Sequence, residues 1–373
     1  MNAPLSWLEL RRAKAARTFG DIGVPHGRAE QWKYSRVHSL VEAETVKNAG
    51  LVRWRTETSG SVDCFDLSSG FGVPEWVVSH LGSQMRVDNF DTASFAFASG
   101  GPAIRVRAGE QGQAKVSFES EGQARFLIVV EEGGSLQLIE TAWCESDLQN
   151  IGAEIVLMPH SRLDHVRICP KSNDAIQIGA SSINIGAGAT YLAHFANFGT
   201  KLSRTDLLVW LEGENAKAHL SGATLLGESR HADITTHVEH RVPDAESTQL
   251  FKIIAGGKSR GVYQGKISVA EGANGSDSRQ TAKGLLLGER AEIDLKPELE
   301  ILADDVKCAH GAAVGDLDPE SLFYLRSRGV PEAEARALLM RAFLEDAVAE
   351  IADETVRADV WSRVEAALAE MSA

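Results

Sequence analysis

Residues 84–308 alternate short apolar runs with glycine-containing turns and show almost no helical period, which constrains the fold more than any other feature of the chain. The runs at 125–130 (RFLIVV), 135–142 (SLQLIETA), 154–158 (EIVLM), 207–211 (LLVWL) and 284–287 (GLLL) are examples. Runs of Val, Ile, Leu and Thr bounded by Gly, Asn or Asp read as strands between tight turns. A turn of Gly-x-x-Ala character followed by a strand recurs at Gly186-Ala-Gly-Ala-Thr-Tyr-Leu, Gly213-Glu-Asn-Ala-Lys-Ala-His-Leu and Gly288-Glu-Arg-Ala-Glu-Ile-Asp-Leu. The irregular intervals exclude a strict tandem array. Stacked coils, each burying its apolar face on the next, suit a β-solenoid better than a closed barrel, and a plain β-sandwich fits the same pattern.

The two ends differ from this middle. Asp318 before Pro319 is an N-cap followed by proline at the first helical position, and Gly329 suits the residue just past a helix. Pro331 opens a second helix with Ala335, Leu338, Leu339, Ala342, Phe343 and Ile351 on one stripe. A third, at about residues 356–371, carries Val360, Trp361, Val364 and Leu368. These stripes read either as core packed on the β body or as a docking surface. Residues 316–373 hold six Arg against thirteen Asp and Glu, half of the chain's net charge of −14, so a docked partner would present a basic groove. Residues 1–40 are locally basic, with seven Lys and Arg against three acids. The expected organisation is an amino-terminal helical subdomain and linker over 1–83, a β core over 84–315 and a carboxy-terminal helical subdomain over 316–373.

The same charge argues against general nucleic-acid binding and against docking on an anionic membrane. No run approaches the roughly 18 to 20 apolar residues of a membrane helix, and residues 1–12 lack the basic-then-apolar order of a secretion signal. Cys64, Cys144, Cys169 and Cys308 lie far apart without CxxC spacing, so neither a zinc ribbon nor a disulfide scaffold is indicated. A cytoplasmic protein is expected.

Candidate chemistry is sparse. Gly256-Gly257-Lys258-Ser259 looks like the end of a phosphate-binding loop, but Lys252 stands where that motif needs glycine. The letters GxSxG occur at Gly257-Lys-Ser-Arg-Gly261 but without the strand-then-helix context of a nucleophile elbow, and no HExxH or GxGxxG pattern is present. On a strand, His231 and His237 would share one face and His240 the other, a poor geometry for a three-histidine metal site. The remaining candidate lies in Asp304-Asp-Val-Lys-Cys-Ala-His-Gly311. Cys308 and His310 are two apart, so a strand projects both from one face. Thiolate and imidazole suit iron or zinc, and Lys307 could lower the thiol pKa. Two ligands leave a tetrahedral site incomplete, so further donors would come from elsewhere or from another chain. A buried cysteine beside a hydrogen-bonded histidine fits the same residues.

The run from Lys296-Pro-Glu-Leu-Glu-Ile-Leu through Cys308-Ala-His-Gly-Ala-Ala-Val-Gly-Asp-Leu-Asp318, followed by Leu322-Phe-Tyr-Leu-Arg-Ser-Arg-Gly-Val330, resembles the signature of the SufB/SufD family. These are scaffold components of the SUF iron–sulfur cluster assembly system. The resemblance extends through His231-x-Asp233, Thr236-x-Val-x-His240-x-x-Pro243, Ser247-x-Gln249, Lys252 and residues 260–269 (RGVYQGKISV). Gly23-x-Pro25-x-x-Arg28-x-Glu30-x-Trp32-Lys-Tyr34 is similar to the opening of the SufD branch. A chain short for SufB, without its cysteine-rich amino-terminal segment, also favours SufD. Ala273-Asn-Gly-Ser276 and Ala309 depart from the family pattern, while Cys308 and His310 are retained.

The resemblance implies a right-handed parallel β-helix flanked by helical subdomains and a non-catalytic scaffold subunit of a SufBCD complex. In that complex the chain pairs with a SufB-like paralogue through the β-helix, and its carboxy-terminal helices dock a SufC-like ABC ATPase that supplies ATP hydrolysis. Leu322, Phe323, Tyr324, Arg326, Arg328, Leu338 and Phe343 are the docking residues this implies. His310, and less centrally Cys308, would contribute to a transient iron–sulfur cluster shared with the partner, with no cofactor held stably by this chain alone. In isolation a homodimer through the β edge is a further expectation. The alternative is a stand-alone β-helix enzyme acting on polysaccharide or acyl substrates, which needs a carboxylate constellation that the sequence does not show.

Overall fold

The computed structural model describes residues 7–69, 72–86, 88–98 and 100–372. The reading of the first six residues as free of a signal therefore lies outside the described part. The chain forms α1 (Trp7–Ile22), α2 (Ala43–Asn48), a hairpin of β1 (Trp54–Gly60) and β2 (Val62–Asp66), α3 (Glu75–His80) and α4 (Asn89–Phe97). The body follows as β3 (Pro102–Val106), β4 (Gln111–Phe118), β5 (Gly122–Val130), β6 (Ser135–Ala142), β7 (Ser146–Leu157), β8 (Arg162–Cys169), β9 (Asp174–Ile185) and β10 (Thr190–Asn197). It continues as β11 (Leu202–Leu211), β12 (Lys217–Leu226), β13 (His231–His240), β14 (Glu246–Ala255), β15 (Arg260–Val269), β16 (Asp277–Leu286), β17 (Glu292–Ile301) and β18 (Lys307–Asp316). Three helices close the chain: α5 (Pro319–Ser327), α6 (Glu332–Ala349) and α7 (Glu354–Ser372).

From β3 onward, odd and even strands separate into two sheets, each nine-stranded once β2 joins the odd one and β1 the even one, and each strand from β5 to β16 pairs in parallel with the strands two before and two after it. β1 on β4 and β2 on β3 pair antiparallel instead, closing the first coil with a hairpin. This is a parallel β-solenoid, and the sandwich reading is set aside. Inward-facing Phe118, Phe126, Ile155, Leu163, Tyr191, Val209, Leu220 and Phe251 belong to one continuous interior core running through the coils. The spacing between stacked positions drifts: Ser135 pairs with Arg162, 27 residues on, whereas Glu246 pairs with Asp277, 31 residues on. That drift is why the glycine turns recur at irregular intervals.

The corners explain the Gly-x-x-Ala fragments. Gly188, Asn215 and Asp244 adopt left-handed φ of 62°, 59° and 57°, and each precedes a buried alanine, Ala189, Ala216 or Ala245. A left-handed residue turns the chain sharply, and only a small side chain fits inside the bend. Gly257 and Ser259 repeat the device, with the Ser259 hydroxyl donating to the Gly256 and Leu226 carbonyls. The phosphate-loop look-alike is a solenoid corner.

Helices cover both outer faces. On the even sheet, Val166, Ile168, Ala196, Phe198, Leu225, Ile254 and Leu285 meet Met340, Leu344 and Val348 of α6 and Val356, Val360, Val364 and Leu368 of α7. The expected α6 stripe is rotated: Leu338 and Ala342 are exposed, while Met340, Leu344, Ala347 and Val348 face the sheet beside Ala335. Leucine and methionine occur around most of this helix, so its inward arc is set by the sheet beneath it. Around α5, Asp318 accepts from the Glu320 and Ser321 backbone nitrogens, Pro319 opens the helix and Gly329 follows it at φ 88°, as read from the sequence.

The amino-terminal segment packs on the odd sheet. β1 and β2 precede residue 84 and α4 follows it, so the helical and strand segments interleave there, against the expectation that 84–308 lacks helix. Asp88 caps α4 by accepting from the Asp91 nitrogen, and Phe90, Ala93 and Phe95 of this helix are buried. Its short, apolar sequence imitates a strand run. Arg125 bonds Glu154 at 2.8 Å and Asp91 beside it; Arg204 bonds Asp233 at 2.6 Å and lies 4.1 Å from the Trp32 ring centroid. The Gly23–Tyr34 motif thus runs across successive coils and reaches β17, where Lys296 contacts Glu30 at 3.1 Å. Among the described residues, no helix is long and apolar enough to cross a membrane.

Candidate functional site at the open end of the solenoid

β17 and β18 are the last strands of the two sheets, and among the described residues each is paired on one side only. Edge strands of this kind leave backbone donors and acceptors available to another chain. Ile301, Leu302 and Val314 are exposed there. Cys308 and His310 lie on β18 opposite Ser278 and Gln280 of β16. Partners in a parallel ladder share a face, so both side chains belong to the interior column of the solenoid at its uncovered end. Cys308 is half buried against the Ile267, Val269 and Ala273 cluster, and His310 is exposed. Burial first, and then the charge of Asp277, push the Cys308 thiol pKa up. Lys307 therefore does not activate it as anticipated, because adjacent residues on a strand point to opposite faces.

The rungs below this pair are polar, although the rest of the interior is largely apolar. Ser247-Thr-Gln249 on β14, Ser278-Arg-Gln280 on β16 and Cys308-Ala-His310 on β18 stand in register. The Ser247 and Ser278 hydroxyls are 2.7 Å apart, and His240 Nε2 lies 2.8 Å from the Ser247 hydroxyl. Gln249 Oε1 accepts from the Thr236 hydroxyl at 2.6 Å and the Tyr263 hydroxyl at 2.9 Å. His240, Ser247, Gln249, Tyr263, Ser278 and Gln280 are all buried, and burial pushes the Tyr263 pKa up, keeping its proton in place. This polar floor was missed in the sequence. Its signal was present as Ser-x-Gln, Ser-x-Gln, Cys-x-His at intervals of 31 and 30, one coil each.

The three histidines around 231–240 divide as anticipated for a strand. His240 points inward and is fully buried, while His231 and His237 lie half exposed on the outer face. Among the described residues, no group of three or more His, Cys, Asp or Glu is arranged to hold a metal ion. Cys308 and His310 supply two suitable donors at an end open to a second chain.

The residues implied for ATPase docking separate into two sets. Phe323 and Tyr324 of α5 and Leu338 of α6 are exposed at 73%, 57% and 45%, and Arg328 stacks 5.2 Å from the Tyr324 ring. Leu322 is half buried, and Arg326 pairs with Glu332 at 3.4 Å. Phe343 instead faces the sheet. Lys252 of β14 is 5% exposed; its ammonium donates to the Phe343 carbonyl at 2.6 Å, lies 4.9 Å from that ring and pairs with Asp346. β14 therefore carries Ser247 and Gln249 inward toward the open end and Lys252 outward into α6.

Residues 113–343 match the family described as SUF system FeS cluster assembly, SufBD core domain. The chain is 27% identical to the iron-sulfur cluster assembly protein SufD of Escherichia coli over 92% of its own length and 89% of the relative's. It is 32% identical to a SufBD family protein of Synechocystis over 65% of its length and 55% of that protein's. It is 26% identical to protein ABCI7, chloroplastic, of Arabidopsis thaliana, over 84% and 65% of the two chains. With most of the solenoid inside the matched region, this chain belongs to the SufBD core family.

Proposed function

We propose that the chain is a SufD-like, non-catalytic scaffold subunit for iron–sulfur cluster assembly in the cytosol. It pairs with a SufB-like paralogue through β17 and β18 and carries a SufC-like ABC ATPase on the exposed face of α5 and α6. The observation that carries this reading is the open end: two edge strands, each paired on one side only, frame a thiol and an imidazole above a polar floor, in a chain of this family. A second solenoid adding its own edge strands would bury Leu302 and Val314, satisfy the free backbone groups and bring the missing ligands.

His310 and Cys308 then hold the nascent cluster only while the partner completes the site, and the cluster is cargo. Motion from the ATPase reaches the site through the Lys252 joint, since α6 and the polar rungs are anchored on the same strand. Isolated chains form a homodimer through the same edges. The test is assembly with the paralogue and the ATPase, followed by iron and sulfide reconstitution. His310→Ala should leave folding and ATPase binding intact and lower cluster yield; an unchanged yield would remove His310 from the site. Phe323→Ala with Tyr324→Ala should release the ATPase while leaving the paralogue bound, and retained ATPase would overturn the docking assignment.

A further inference from the structure

Gln280 is 1% exposed, its Nε2 lies against the Tyr263 hydroxyl, and its Oε1 has no hydrogen-bond partner among the described residues. An unpaired buried polar group costs about 1–3 kcal/mol, so an orphaned amide oxygen directly beneath a candidate ligand calls for an explanation. The orientation of that amide follows from the rungs below it. Tyr263 sends its hydroxyl proton to Gln249 Oε1, as Thr236 does, and so turns a lone pair toward the next rung. Gly265 leaves the space there: a Cβ at that position would overlap both Gln280 Nε2 and the Tyr263 hydroxyl. The amide nitrogen of Gln280 therefore faces the tyrosine oxygen, and Oε1 is left for the following rung.

That rung is His310. Histidines in this solenoid already reach along the ladder. His194 Nδ1 lies 2.9 Å from the hydroxyl of Ser221, its stacked partner, and His219 Nδ1 lies 2.8 Å from that of Thr248. An amide oxygen only accepts, so the imidazole must donate to it.

We propose that Gln280 is the positioning residue of His310: its Oε1 takes an imidazole N–H, fixes one tautomer and turns the other nitrogen's lone pair out of the open end toward the incoming cluster. The direction of the whole chain, Thr236 and Tyr263 to Gln249 and His310 to Gln280, is set by which groups have protons to give. The proposal rests on the reading of His310 as a ligand.

The experiment uses the full chain with ¹⁵N-labelled histidine and long-range ¹H–¹⁵N spectra at pH 8, with the His310 signals identified by their loss in His310→Gln. One predominant His310 tautomer is expected in the native chain. In Gln280→Leu, which replaces the amide by an apolar side chain of similar volume, both tautomers should appear. Gln280→Asn, which keeps the amide but withdraws it by one methylene, should act in the same direction. A native chain with both tautomers, or variants with the native tautomer, would overturn the proposal. In the complete complex, Gln280→Leu should lower cluster yield about tenfold. Released tautomers with full cluster yield would uphold the positioning and overturn the ligand role of His310. An unreleased tautomer with reduced yield would do the reverse.

Discussion

Lowering the pH from 7.5 to 5.5 should loosen the carboxy-terminal helices, and the cost can be worked from one side chain. His194 faces out of β10 beneath α6 and is 2% exposed; its Nδ1 contacts Ser221, and the Ala347 backbone of α6 stands against the ring. Burial pushes its pKa down from the ordinary 6.5 to about 3, with the Ala347 backbone of α6 opposing. A folded pKa below the unfolded one means that stability is full above pH 6.5 and is lost as the pH falls toward the folded value. At pH 5.5 the unfolded imidazole is almost fully protonated and the folded one is not, a difference of about 1.4 kcal/mol relative to pH 7.5. Any folded value below about 4.5 gives nearly the same figure, so the result does not hinge on the depth of the shift. His240, fully buried inside the solenoid and pushed down to about 4, adds a similar amount. Together they take away about 3 kcal/mol, a large share of the 5–15 kcal/mol typical of a folded protein. The assay is urea unfolding at pH 7.5, 6.5 and 5.5 for the native chain, His194→Gln and His240→Gln, with amide exchange over α6. Each variant should lose about 1.4 kcal/mol of the pH dependence, and comparison with the native chain cancels the carboxylates. A variant with the native pH dependence would refute the burial argument for that histidine.

Lys252→Ala should cost about 2 kcal/mol, because it takes the ammonium from the Phe343 carbonyl and opens a space between β14 and α6, while Lys252→Met, which refills that space without the bond, should recover part of it. Amide exchange should rise in α6 ahead of α7, and a uniform rise would show that Lys252 does not anchor α6 specifically. Gly213→Ala places a Cβ on the backbone of Ala187 in the preceding corner and should abolish soluble expression, whereas Gly288→Ala meets nothing within 4 Å and should express normally. Equal behaviour of the two would contradict the stacked-corner geometry.

Some of the site could be read directly from the residues. A period of two puts Cys308 and His310 on one face wherever the strand lies, just as it separates His240 from His231 and His237. The helix boundaries at Asp318, Pro319 and Gly329 were equally legible, because capping depends on a few neighbouring atoms. Lys307 misled because proximity in sequence is separation across a strand, and Leu338 because α6 is apolar around most of its circumference.

The strands, the corners and the carboxy-terminal helices follow from the residues themselves, since alternation, left-handed turn residues and caps act within a few residues of one another, whereas α4 did not show itself. Tertiary structure alone decided what those strands face. Coils of 24 to 32 residues fall into register only when stacked. That stacking turns Ser247, Ser278 and Cys308 into one column and Gln249, Gln280 and His310 into another. It also leaves the last coil without a neighbour. A polar floor beneath a thiol and an imidazole depends on contacts a full coil apart, where lateral hydrogen bonding, and no local preference, sets which side chains meet.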